Sequence, residues 1–223
     1  MPYCLNNVGF TLLLALSIQA SASELPLDKS DCEFSGTFAQ SKFIDGLDTP
    51  LNSTGQFYHH CNYGVIWSTL EPIEQTLVMQ KAGKGFLIDQ SGTKKLSSRQ
   101  AKFLNKLLND LMGADQQLLA KQFEITSIDK NHFQLLPITR KLKRGVKQIE
   151  LLFSDASLTI DVIDRNSQRT EIITKQTRSF NIESQRENTE ENCDTLLSEP
   201  SCSLLFNTSI VGSNLENAAK NGN

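Results

Sequence analysis

Between Glu33 and Asp89 the chain offers five short extended segments, and three of the four links between them are too short for anything but hairpins. The segments are Glu33–Gln40, Ser53–His60, Gly64–Thr69, Thr76–Gln80 and Gly85–Asp89. Turn chemistry separates them at Asp45-Gly46, Thr49-Pro50 and Lys81-Ala82-Gly83-Lys84. Parallel strands need crossovers of roughly a dozen residues, so this run predicts an antiparallel meander. In the first segment Phe34, Gly36, Phe38 and Gln40 fall on one side, because successive residues of a strand point to opposite faces.

The period then changes. Ser98 caps a predicted helix in which Phe103, Leu104, Leu107, Leu108 and Leu111 recur at three- and four-residue spacing, Gly113 ends it, and Ala114–Lys121 predicts a further turn or two. Strands return at Phe123–Ile128, His132–Ile138, Lys147–Phe153, Ser157–Asp164 and Arg169–Arg178. The expected class is α+β, mainly antiparallel β, with one helical insertion. A sheet with one apolar face must cover it. Helices from Ser98 to Lys121 laid across the mouth of a curved sheet would form a lid over an apolar cavity. Phe34, Phe38, Phe57, Trp67, Leu77, Met79 and Phe86 are expected to line that cavity from the sheet, and Phe103, Leu107 and Leu111 from the lid. Such a pocket suits acyl chains, whose surface is mostly apolar.

The two ends read differently from this middle. Val8–Ala20 is mostly apolar and Ala20-Ser21-Ala22 matches an export-cleavage pattern, while the run is too short to anchor in a bilayer. Residues 1–22 are therefore read as a signal peptide, 23–182 as the folded domain and 183–223 as a polar, flexible tail. From Glu183 onward seven acids face two bases, and only Leu196-Leu197, Leu204-Leu205-Phe206 and Ile210-Val211 break the polarity. Export removes Cys4 and leaves Cys32, Cys61, Cys193 and Cys202, an even set that predicts two disulfides with three possible connectivities. A hairpin pairing the first two strands brings Cys32 near Cys61, within bridging range. Cys193 and Cys202 would then close a loop in the tail.

Other chemistries find little support. A net charge of −3 and a pI near 5.7 argue against general nucleic-acid binding. His59 and His60 are adjacent on a strand and point to opposite faces, His132 is the one other histidine, and there is no CxxC or HExxH, so no metal is expected. Neither GxSxG, a Walker loop nor a dinucleotide fingerprint is present. Gly83-Lys84-Gly85 reads as a hairpin turn, Asp161 and Asp164 as solvated carboxylates, and Arg140, Lys141, Lys143, Arg144 and Lys147 as an exposed loop. No catalytic residues and no cofactor are expected; the chain reads as a binding protein.

Several segments carry a family resemblance: Phe38-Ala39-Gln40, then GQFYHHCNYGVIW from Gly55, STLEP, TLVMQ, LLPI at Leu135–Ile138, VKQIEL at Val146–Leu151 and SQRT at Ser167–Thr170. In this order and spacing, with the helical insertion in the matching gap, Cys32–Arg178 resembles the LolA-type carriers of outer-membrane lipoproteins. The resemblance implies a half-open β-barrel closed by a helical lid. It further implies a monomer working in the periplasm of a Gram-negative bacterium, without a cofactor. Its partners would be the acyl chains of lipids or lipoproteins, an inner-membrane exporter and an outer-membrane acceptor. One position departs from the pattern. Where the carriers place a basic residue that helps hold the lid, this chain has Cys61, which cannot make a charge-assisted bond.

Overall fold

Short hairpin links and extended apolar segments produce the strands between Glu33 and Phe180. They are β1 (Glu33–Phe43), β2 (Leu51–His60), β3 (Gly64–Glu71), β4 (Gln75–Gln80), β5 (Gly85–Asp89), β6 (Gly92–Lys95), β7 (Phe123–Ser127), β8 (His132–Pro137), β9 (Val146–Ser154), β10 (Ser157–Asp164) and β11 (Arg169–Phe180). The structure is a computed structural model that describes residues 32–97, 111, 116–154, 157–180 and 193–206. All strands pair antiparallel in one sheet of order β6-β5-β4-β3-β2-β1-β11-β10-β9-β8-β7. The sequence pattern anticipates every strand except β6, whose residues are all exposed and offer no apolar signal.

β6 and β7 follow each other in sequence yet occupy opposite edges of the sheet. The sheet therefore stays open, and the link from Lys95 to Phe123 has to travel from one edge to the other. Two apolar residues of that link are buried among the described ones: Leu111, and Leu119 on the short helix α1 (Gln116–Ala120). They pack with Phe123, Phe133, Leu135, Ile149, Leu151 and Ile160. The result is a half-open barrel of α+β class. Phe103 and Leu107, the other residues expected on the lid, lie outside the described residues, as does the predicted signal segment.

The pairing register assigns the faces. Phe34 faces His59, Gly36 faces Phe57 and Phe38 faces Gly55, so these residues share one side of β1 and β2. Following partners outward, the same side carries Val65, Trp67, Leu77 and Met79 in one direction. In the other it carries Ile172, Ile160, Leu151 and Phe133. We call this the inner face, since the link between β6 and β7 packs on it.

The outer face of β2–β5 is buried too. Tyr58, Ile66, Val78 and Phe86 are covered by Cys193, Cys202 and Leu205. The last two lie on helix α2 (Glu199–Phe206). The segment expected to be a flexible tail thus contains a packed helix. Its sparse apolar residues are grouped closely enough to bury Leu205 to 2% exposure, and the Cys193–Cys202 disulfide (Cα–Cα 5.8 Å) ties it into a short loop. Gln80 Nε2 donates to the Leu204 carbonyl at 2.6 Å, fixing the helix end to β4. The second disulfide joins Cys32 and Cys61, with Cα atoms 4.9 Å apart, and the Cys61 amide donates to the Cys32 carbonyl at 2.7 Å. The Cys32–Cys61 pairing is the one the hairpin topology predicts, and Cys193–Cys202 is the loop expected in the tail.

Candidate functional site

Three cross-strand rows build the inner face of the N-terminal half. The first is Phe34, His59, Val65, Met79 and Gly85; the second is Gly36, Phe57, Trp67, Leu77 and Leu87; the third begins with Phe38, Gly55 and Thr69. Rings and glycines alternate diagonally between rows. A Cβ on Gly36 would sit 2.6 Å from the Phe57 ring and against the Lys175 carbonyl. One on Gly55 would sit 2.6 Å from the Phe38 ring and against the Ser68 carbonyl. Each glycine therefore gives the neighbouring phenyl ring room to lie flat on the backbone.

Those rings form a continuous aromatic surface. Phe38 stacks on Trp67 with centroids 4.0 Å apart, Phe57 lies at 5.9 Å from Trp67 in a near-parallel plane, and Phe34 meets Phe57 edge-on at 6.1 Å. Phe38, Phe57, Val65 and Met79 are buried, whereas Phe34, Trp67 and Leu77 remain half-exposed. The surface is thus anchored by a packed base and presents an open apolar edge.

Of the ten residues expected to line a cavity, six share this surface: Phe34, Phe38, Phe57, Trp67, Leu77 and Met79. Leu111 packs on the same face, farther along, with the β7–β10 cluster. Ile172 touches both groups and joins them. Phe86 does not belong. It pairs with Val78 and not with Met79, which turns its ring to the outer face against Cys193–Phe206. An offset of one residue at the β4–β5 turn reverses an inward assignment.

Sequence reasoning missed two polar features. The first is His59, in the inner-face row beside Phe34, with ring centroids 4.7 Å apart. It is 2% exposed, and its Nδ1 is fully buried without a hydrogen-bond partner among the described residues. Burial, with repulsion from His60 and Lys81, pushes its pKa down to about 3, so the ring is neutral. The second is a polar group on the outer face under α2. There the buried Tyr58 hydroxyl donates to Glu33 Oε1 at 2.7 Å, and burial together with that carboxylate pushes the phenol far up. His60 lies in the same region, its Nδ1 accepting the Asn62 amide at 3.1 Å and its ring against Tyr63 and Phe206. The available signal was the pair of unbroken apolar runs Val65-Ile66-Trp67 and Leu77-Val78-Met79. Unbroken runs mark strands buried on both faces.

The remaining candidates resolve into structural roles. Ligand atoms of Cys32, His60 and Cys61 lie within 4.8 Å of one another. The disulfide uses both sulfurs, leaving one imidazole and no thiolate to hold an ion. Asp161 is not simply solvated: it pairs with Arg169 at 2.6 Å. Asp164 Oδ1 accepts the Asn166 and Gln168 amides at 2.8 and 2.9 Å, shaping the β10–β11 turn. His132 Nε2 lies 3.2 Å from Glu150 Oε2. The basic run Arg140–Arg144 occupies the exposed β8–β9 connection around one 3₁₀ turn, with Leu142 turned inward.

A family model described as "Outer membrane lipoprotein carrier protein LolA" matches residues 32–185. Among solved structures, the chain is similar to a LolA superfamily protein from Nitrosomonas europaea, at 12% identity and a TM-score of 0.38. The similarity covers 70% of this chain and 87% of that one. A putative outer membrane lipoprotein-sorting protein domain from Vibrio parahaemolyticus is similar at 10% identity and a TM-score of 0.36, covering 74% of this chain and 91% of that one. No curated protein matches the sequence.

Proposed function

This chain belongs to the LolA family of outer membrane lipoprotein carriers, and from that premise we propose that it binds acyl chains of lipids or lipoproteins on its inner face and delivers them toward the outer membrane. The observation that carries the reading is the aromatic surface of Phe34, Phe38, Phe57 and Trp67, half-buried at its open edge and continued by Leu77 and Met79. An acyl chain laid on that edge would be stabilised by about 0.8 kcal/mol for each methylene it buries. Phe103, Leu107 and Leu111 would close over it from the link between β6 and β7. On this reading residues 1–22 direct export, the domain works in the periplasm as a monomer, an inner-membrane exporter loads it and an outer-membrane acceptor unloads it.

A second reading draws on a specific observation, the Cys32–Cys61 disulfide. On the family resemblance, Cys61 stands where the carriers place a lid-holding basic residue, and here it is locked in that bridge. A lid held in another way fits a periplasmic interaction or sensor module on the same scaffold, with no transported cargo. Native mass spectrometry of protein purified from the periplasm without detergent separates the two. Bound acyl species that disappear in a folded Phe38→Glu or Leu107→Glu variant support the carrier. A clean apo mass, with no uptake of added lipid, supports the module.

A further inference from the structure

His59 is the one inner-face residue of the first row with a polar side chain; Phe34, Val65, Met79 and Gly85 complete that row. A buried imidazole ordinarily finds hydrogen-bond partners, since an unsatisfied buried polar group costs free energy that an apolar residue would not. Here Nδ1 has no partner among the described residues although the ring is 2% exposed. Phe34 lies against the ring at 4.7 Å and Val65 pairs with His59 across β3, while His60 and Lys81 are the charge-bearing groups close enough to act on it. The Cys32–Cys61 disulfide and the β2–β3 turn hold this end of β2 in place.

Resting on the proposed binding of acyl chains to this face, we propose that His59 is the polar anchor of the site. Its ring N–H donates to the carbonyl oxygen that links an acyl chain to its head group. Every acyl ester and amide carries that oxygen, and a plain hydrocarbon lacks it. The aromatic rows then take the methylene chain while His59 fixes where the chain begins, so the ligand class is an acyl ester or amide held at its carbonyl. The neutral ring suits this role: it has one N–H to give and adds no buried charge. A carbonyl reaching Nδ1, which is buried in this structure, would supply the bond that Nδ1 lacks among the described residues.

The test compares methyl laurate with dodecyl methyl ether, close in chain length and shape but with and without the carbonyl. Binding is read for the full-length mature protein and for His59→Phe and His59→Leu. The anchor predicts that wild type prefers the ester by about tenfold, the worth of one hydrogen bond in a dry site. Both variants should lose that preference while still binding the ether, and should melt no lower than wild type, because an unsatisfied buried group has been removed. A purely structural histidine would give the reverse: lower melting and no change in the ester-to-ether ratio. Equal binding of ester and ether by wild type overturns the anchor and leaves the carrier reading standing. Binding of neither overturns both. The wild-type comparison needs no variant to fold.

Discussion

Glycines 36 and 55 are where a single added methyl group would be felt most. Each lies under a phenyl ring and against a backbone carbonyl of the neighbouring strand, so the obstacle on one side cannot rotate away. Gly36→Ala and Gly55→Ala should each destabilise the fold by about 1–3 kcal/mol, the usual cost of overpacking, measurable as a lower urea midpoint with an unchanged slope. The same residue scale carries a pH effect. His59 is held down to about 3, from 6.5, by burial and by the nearby His60 and Lys81, and burial lowers His60 as well. Between those values the unfolded chain takes up a proton that folded His59 refuses. Stability is therefore full above the unfolded pKa and falls as pH drops through that window. The expected loss at His59 is about 2 kcal/mol from about pH 8 to about pH 5. Urea unfolding at the two pH values should show this loss in wild type, with His59→Phe losing correspondingly less; equal losses would contradict the assignment.

At the scale of elements, the hairpin links, turn residues and short extended apolar segments of β1–β5 and β7–β11 made the meander readable from sequence. The same topology put Cys32 beside Cys61. Three things were not readable, each for a physical reason. β6 has no apolar residue to alternate. The side taken by Phe86 depends on a one-residue offset at the β4–β5 turn, which composition does not encode. Helix α2 sits in a polar stretch whose few leucines gain their meaning only from the outer face waiting for them. His59 was read as one member of a histidine pair, since the absence of a partner for its Nδ1 among the described residues is a property of its surroundings. The α2 cover yields its own prediction. Leu205→Ala should cost about 2–4 kcal/mol through the cavity it leaves under Phe86 and Val78. Binding at the inner face should be preserved, because the two faces are separated by the sheet. A thermal melt paired with a lipid-binding assay checks both halves of that statement.

For the whole molecule, the open sheet is the central fact. Its two meanders meet at β1 and β11, its edges β6 and β7 stay apart, and one link spans them across an apolar inner face. A closed barrel would have to fill its interior with its own side chains or enclose a fixed cavity; an open one with a bridging link can admit a long, flexible guest. The sequence contains a single tryptophan, Trp67, and it stands half-buried on this face, stacked on Phe38. That makes the central claim directly measurable. Titration with a phospholipid brominated along its acyl chain, followed by Trp67 fluorescence, should give saturable quenching that excess unbrominated lipid reverses and that Phe38→Glu abolishes in a folded protein. Fluorescence that stays unquenched, or falls linearly without saturation, would contradict acyl-chain binding at the inner face.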